Sequence, residues 1–252
     1  MYPIIFQYKA LTIGGYGIML GLAFYMAFLL TERELKLKGF NPELAYKLLL
    51  AVIPSAILGA KLFHIIDYFD EFLQDPLGML ISGSGLTVYG GYIAAILASI
   101  IVIKKNKLSV PQICDIAAAP VALGYAIGRL GCHVAGDGCY GILAGTSFLG
   151  MSYPNGLAPS SEAVYPTSLF ESFMSFVIFA VLMRLRKRDL PHGLLFSLYI
   201  LLNGITRFFV EFIRVNPKVA LGLTQAQIIA MLFFLTGALA VFLIMRASKN
   251  RA

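Results

Sequence analysis

Seven runs of apolar residues recur along the chain, at roughly 13–31, 44–64, 86–103, 111–131, 168–185, 193–213 and 225–246. Each is close to the ~20 residues that carry a helix across a bilayer core. The pattern predicts an all-α, polytopic membrane protein of about seven transmembrane helices. No polar stretch between the runs is long enough for a second folded domain. Residues 1–252 are therefore expected to form a single integral-membrane domain, with an extracytoplasmic loop at about 132–166. The first run has no basic stretch before it and no small-residue cleavage site after it, so it is expected to be a span and not a signal peptide.

Charge turns the spans into a topology. The formal net charge is +7, which taken alone suggests nucleic acid. The distribution argues against that reading. Arg33, Lys36 and Lys38 follow span one; Lys104, Lys105 and Lys107 follow span three; Arg184, Arg186, Lys187 and Arg188 follow span five; Arg246, Lys249 and Arg251 follow span seven. The loop after span two carries Asp67, Asp70, Glu71 and Asp75, and the 132–166 loop has no lysine or arginine. This alternation is the positive-inside pattern, and it predicts the N-terminus outside and the C-terminus in the cytoplasm.

Charged groups are costly at membrane depth and tend to survive there for function. The block GRLGCHVAGDGCYG, residues 128–141, closes span four with Arg129, Cys132, His133, Asp137 and Cys139. Span six carries Arg207, Glu211 and Arg214, a spacing that predicts all three on one helix face. Tyr16 opens span one and Tyr89 opens span three. With the topology above, these groups fall toward the outer side and predict one polar cavity there. Plainer readings stand beside this one: a structural Arg207–Glu211 pair, snorkelling for Arg129, Arg214 and Lys61, belt positions for the two tyrosines, and a loop position for His133. Gly90, Gly91, Gly124, Gly128 and Gly131 suit close helix packing. Gly136, Gly138 and Gly141 offer a permissive backbone that could wrap a headgroup. Cys132 and Cys139 could form a disulfide, although the odd count of three cysteines does not establish one. Their spacing with His133 and Asp137 matches no common zinc pattern, and no metal or other cofactor is expected.

These segments together resemble the prolipoprotein diacylglyceryl transferase family along nearly the whole chain. YGIML at 16–20 is similar to the family's first-span motif, and GLTVYGG at 85–91 to its G…HGG segment. GRLGCHVAGDGCYG resembles the signature GRxGNFxNGExxG, and VYPTSLFES at 164–172 resembles the H-P-S-Q-L-Y-E stretch. GLLFSLYILLNGITRFFVEFIR at 193–214 resembles the G…LY…YG…R…E…R span. The resemblance implies transfer of the diacylglyceryl group of phosphatidylglycerol to the lipobox cysteine thiol of a prolipoprotein signal peptide. A thioether forms and glycerol phosphate leaves. It further implies a bacterial cytoplasmic (inner) membrane protein working at the outer leaflet of the lipid bilayer. Arg129 and Arg207 match the family's two key arginines, with Tyr89 and His133 beside them as catalytic candidates. Tyr16, Gly90, Gly91, Gly136, Asp137, Gly141, Glu211 and Arg214 are the substrate-binding candidates.

Three positions depart from the family pattern: Tyr89 and Tyr165 replace histidines, and Cys132 replaces an asparagine. A phenol is a poor base at neutral pH. Either another group such as His133 takes the thiol proton, or Tyr89 only hydrogen-bonds the lipid. A paralogue that binds lipid, or that transfers an acyl or glyceryl group to a different acceptor, would keep the same fold. A small transporter is a further alternative, against which stand the lack of a repeat between halves and the gathering of charge at one face.

Overall fold

The computed structural model describes residues 3–8, 11–82 and 87–250, leaving the side chain of Leu11 aside. Gly85 and Leu86 of the GLTVYGG segment, and Arg251 of the basic C-terminal cluster, lie outside the described residues. In chain order the elements are β1 (Ile4–Tyr8), β2 (Leu11–Gly14), α1 (Gly15–Leu37), α2 (Glu43–Asp67), α3 (Phe69–Gln74), α4 (Pro76–Ile81), α5 (Val88–Lys105) and α6 (Val110–Ala135). They continue with β3 (Met151–Tyr153), β4 (Ser160–Val164), α7 (Thr167–Leu185), α8 (Leu194–Val210), a 3-10 turn (Glu211–Ile213), β5 (Lys218–Ala220), β6 (Leu223–Thr224) and α9 (Gln225–Lys249). Among the described residues seven helices are long and apolar enough to cross a membrane: α1, α2, α5, α6, α7, α8 with its 3-10 extension, and α9. They match the seven apolar runs. On α9 only 11% of the most apolar stretch is buried within the protein, so most of its apolar surface is exposed. The chain is an all-α polytopic membrane protein.

The connections hold more structure than the apolar pattern predicts. The N-terminal residues form an antiparallel hairpin, β1 with β2. The loop after α2 folds into α3 and α4, because Asp75 accepts a hydrogen bond from Gly78 N (2.9 Å) and Pro76 opens the helix. The segment expected as a loop from 132 begins later: α6 continues to Ala135, so Cys132 and His133 are helical. Its remainder contains the β3–β4 hairpin.

The chain divides into two compact units, Met1–Leu30 with Cys114–Ala252 and Thr31–Ile113. In the second unit α2 packs on α5 through glycines. A Cβ on Gly90 would lie 2.3 Å from the Gly59 carbonyl oxygen, and one on Gly91 would lie 3.1 Å from that of Ala56. The Lys61 ammonium donates to the Ser82 carbonyl and hydroxyl at 2.9 Å.

In the first unit α6 is the central element. Ala118, Ala119 and Ala122 of α6 pack with Ile178 and Leu182 of α7 and Leu195 of α8, small side chains letting helices approach. Leu123 and Ile127 pack on Ala23 of α1. Asp115 of α6 caps α8: its carboxylate accepts from Gly193 N (2.6 Å) and Phe196 N (2.9 Å). This satisfies donors that a helix start otherwise leaves open. α8 and α9 meet at Gly204 and Gly237, where a Cβ would come within 2.7 Å of the facing backbone. These contacts fix where α6, α7 and α8 place their polar residues.

Candidate functional site

Helical spacing on α6 sets the first half of the site. Tyr125, Arg129 and Cys132 share one face at intervals of four and three. The Tyr125 hydroxyl accepts from Arg129 Nε and Nη2, both at 3.0 Å, and donates to Glu171 Oε2 at 3.1 Å. Arg129 Nε also pairs with Glu171. Glu171 enters from the first turns of α7, where Thr167, Ser168, Ser172 and Ser175 are also buried. The Ser172 hydroxyl ties α7 to α6 through the Ala126 carbonyl (2.8 Å).

The second half comes from α8. Arg207 Nη1 pairs with Glu171 Oε1, and its Nη2 lies 2.8 Å from Glu211 Oε2. The helix stops at Val210. Glu211 starts a 3-10 turn and Arg214 is extended, so the three residues do not share one helix face as the spacing predicts. They converge nonetheless. Arg214 Nη1 lies 3.7 Å from Glu171 and its Nε 3.6 Å from Glu211. Glu211 Oε1 accepts from Asn216 and from the hydroxyl of Thr224, the N-cap of α9 (3.0 Å).

The result is a buried lattice of three guanidiniums and two carboxylates, with one surplus positive charge. The Glu171 and Glu211 side chains are sealed, at 3% and 0% exposure, while Arg129 and Arg207 each keep 19%. The carboxylates therefore brace the arginines from behind and leave guanidinium edges open. Arg214 Nε and Nη1 are buried without a hydrogen-bond partner. They face Glu211 and Glu171 as ion pairs at 3.6 and 3.7 Å, respectively. Such an array can hold an anion with fixed, directional donors.

The loop after α6 closes one side. Gly136 has φ +60°, and a Cβ there would lie 2.7 Å from Gly156 Cα. Gly141 N donates to the Tyr165 carbonyl and Ile142 N to that of Ile213, both at 2.8 Å. A Cβ on Gly141 would stand 2.2 Å from the Ile213 carbonyl oxygen. Both glycines thus serve close backbone approaches that position the loop. Asp137 Oδ1 accepts from Cys139 N (3.1 Å), and the Cys139 carbonyl accepts from Thr167 Oγ1 (2.7 Å). Cys132 and Cys139 are both free thiols, and Arg129 Nη1 reaches their sulfurs at 4.0 and 3.9 Å. A hydrogen bond from the Cys132 thiol pulls the Cys139 thiol down to about 7, against the burial that opposes it. The two sulfurs and the Asp137 carboxylate lie within 4.8 Å of one another. The Arg129 guanidinium beside them argues against a divalent cation.

The remaining candidates divide. His133 Nδ1 is 3.1 Å from the Tyr153 hydroxyl, with the rings edge to face. Burial pushes that phenol up to about 12 and keeps it protonated. Tyr16 packs on α6, its ring 3.3 Å from a Cβ built at Gly131. Gly128 has open space around its Cβ position, and Gly124 makes only ordinary contacts. Tyr89, Gly90 and Gly91 open α5 in the other unit, where both glycines pack on α2 and Tyr89 is exposed. Sequence reading missed Glu171 and Tyr125. The signals were present: a carboxylate within an apolar span, and a tyrosine one helical turn before Arg129.

The family model for prolipoprotein diacylglyceryl transferases matches residues 3–243. The chain belongs to the prolipoprotein diacylglyceryl transferase family. Its relatives include the phosphatidylglycerol–prolipoprotein diacylglyceryl transferase 2 of Clostridium perfringens, 33% identical over 92% of this chain and 91% of that one. The Clostridium tetani phosphatidylglycerol–prolipoprotein diacylglyceryl transferase is 30% identical over 99% of this chain and all of its own length. That of Dehalococcoides mccartyi is 33% identical over 99% and 95%. In this transferase-family chain, the arginine lattice is built from the signature block, the α7 stretch and the α8 span that carry the family resemblance.

Proposed function

We propose that this chain transfers the diacylglyceryl group of phosphatidylglycerol to the lipobox cysteine thiol of a prolipoprotein, with the arginine lattice holding the lipid phosphate. The observation that carries the reading is the surplus positive charge on Arg129, Arg207 and Arg214, braced by Glu171 and Glu211. A phosphodiester bears one negative charge, so it matches that surplus. The acceptor sulfur attacks the glyceryl carbon, a C–S bond forms, and the C–O bond to phosphate breaks. The departing glycerol phosphate gains charge as it leaves, and fixed guanidinium donors favour that change. The thiol proton must leave before or during attack, because the thiolate is the nucleophile.

Tyr89, in the place of a family histidine, acts in this reading as a hydrogen-bond donor and not as the base. The basic clusters after spans one, three, five and seven support an N-terminus outside, a C-terminus in the cytoplasm and a site facing the outer leaflet of a bacterial inner membrane. The test is to incubate the purified chain in phosphatidylglycerol nanodiscs with a lipobox peptide. A peptide gaining the diacylglyceryl mass on cysteine, with release of glycerol phosphate, is expected. An unmodified peptide, from chain that is folded and lipid-bound, would refute the reading.

A further inference from the structure

Each nitrogen of Arg129 has a distinct task. Nε and Nη2 go to the Tyr125 hydroxyl, and Nε also pairs with Glu171. Nη1 faces two sulfurs, Cys132 at 4.0 Å and Cys139 at 3.9 Å. Cys132 is buried in the last turn of α6, and Cys139 is half-buried in the adjoining loop. The positive φ at Gly136 and Gly138 turns the chain back so that these sulfurs lie within 4.8 Å. A more accessible thiol beside a buried one is the arrangement of an attacking and a resolving cysteine. Neither cysteine belongs to the signature that this block resembles.

We infer that Cys132 and Cys139 form an exchangeable dithiol, open to low-molecular-weight disulfides, whose state sets how firmly Arg129 holds an anion. The chemistry balances. The Cys139 thiolate attacks a disulfide RS–SR and expels RS⁻, leaving a mixed disulfide. Cys132 gives its proton to RS⁻ and attacks Cys139 Sγ. The Cys132–Cys139 bond forms and the second RS⁻ leaves, to be protonated by solvent. Two thiols of the protein are oxidised and one external disulfide is reduced to two thiols.

The sign of the effect is set by charge. In the dithiol form an ionised Cys139 competes with a bound phosphate for Nη1, and the neighbouring Asp137 carboxylate adds to the negative field. In the disulfide form neither sulfur is charged and both are poor acceptors. Nη1 is then released to the phosphate. The oxidised protein is therefore the tighter anion binder. This coupling rests on the proposed function; formation of the pair does not.

The experiment uses the full chain in phosphatidylglycerol nanodiscs, with Cys114 replaced by Ala so that only the pair remains. After treatment with oxidised glutathione, intact mass is expected to fall by two hydrogens, with both maleimide-reactive thiols lost and recovered on reduction. A persistent glutathione adduct, or two thiols that stay reactive, would overturn the pairing. The KM for phosphatidylglycerol is expected to be about 1.5- to 5-fold lower in the oxidised form, the range of one partly exposed ionic contact. Cys139→Ala should show that lower KM and no response to glutathione. A disulfide that forms while KM is unchanged or higher would overturn the coupling to Arg129. If no transfer occurs in any form, the proposed function fails while the mass and labelling results still decide the pairing.

Discussion

Replacing Glu171 by Gln perturbs the lattice at its centre. Its two oxygens serve four groups: Arg129 and the Tyr125 hydroxyl on one side, Arg207 and more loosely Arg214 on the other. The side chain is 3% exposed, so solvent replaces none of these contacts. Glutamine keeps the shape but presents an amide NH₂ to one side, where it meets donors and not acceptors. Breaking a buried ion pair by removing one partner costs about 3–5 kcal/mol. Part of that cost falls on folding. The rest falls on the directions in which Arg129 and Arg207 present their open edges.

Two effects then oppose each other in turnover. The lattice gains a second surplus positive charge, so its attraction for a phosphodiester does not fall. The arginines lose the brace that aims them at the departing oxygen, and misplacement by about 1 Å can cost ~100-fold. The expected signature is a kcat reduced roughly 100- to 1000-fold, equivalent to about 3–4 kcal/mol, with KM for phosphatidylglycerol unchanged or lower. The assay is diacylglyceryl transfer to a lipobox peptide over a lipid titration, alongside thermal unfolding in detergent. A folded Glu171→Gln protein with kcat within threefold of the parent would refute the bracing role. So would a loss confined to KM.

Arg207→Lys is expected to lose most transfer activity, because an ammonium cannot span Glu171 and Glu211 while offering a planar edge; near-normal turnover in a folded protein would sink the phosphate assignment. Tyr89→Phe should cost roughly 10- to 150-fold in rate, the worth of a hydrogen bond to a charged group, and complete loss at every pH from 6 to 9, with phosphatidylglycerol still bound, would show that the hydroxyl is indispensable. Alkylation of Cys139 should rise with pH through about 7, since the thiolate reacts and the Cys132 thiol stabilises it. Cys132→Ala should move that midpoint upward, and an unmoved midpoint would remove Cys132 as the cause. For topology, with the native cysteines replaced, a cysteine at Asp70 should react with an impermeant thiol reagent in intact cells and one at Lys105 should not; the reverse pattern would invert the proposed orientation.

The fold was legible because lipid imposes a simple rule: a span must satisfy its own backbone hydrogen bonds and present apolar side chains. That rule is written in composition alone, so the seven runs matched seven helices. The misses lie where water permits other solutions. Asp75 and Pro76 nucleate α4 through a cap that hydropathy does not register. α6 outlasts its apolar run, ending at Ala135, with Cys132 facing Arg129 and His133 facing Tyr153.

The site was legible in its cations and in Glu211 but not in Glu171, and the asymmetry has a physical origin. Arg129, Arg207 and Arg214 stand out in an apolar background and match a signature position by position. Glu171 also stands in such a background, yet a single carboxylate in a span names no partner until the helices are packed. Its partners come from α6 and α8 and from the residue after the 3-10 turn, segments separated by long stretches of chain. Sequence spacing relates residues within one helix; it put Arg207 four residues from Glu211, and that pair is present at 2.8 Å. It also put Arg214 on the same face, and there it failed, because the helix ends at Val210 and the chain turns. Arg214 reaches both carboxylates from extended backbone instead. Downstream residues stabilise the turn: Glu211 accepts from Asn216 and from Thr224, whose hydroxyl also caps α9. A carboxylate held by a helix cap cannot follow a ligand's motion, so Glu211 is the fixed post of the lattice. Glu171, gripped by arginines and a tyrosine, is the member whose geometry depends on them in turn.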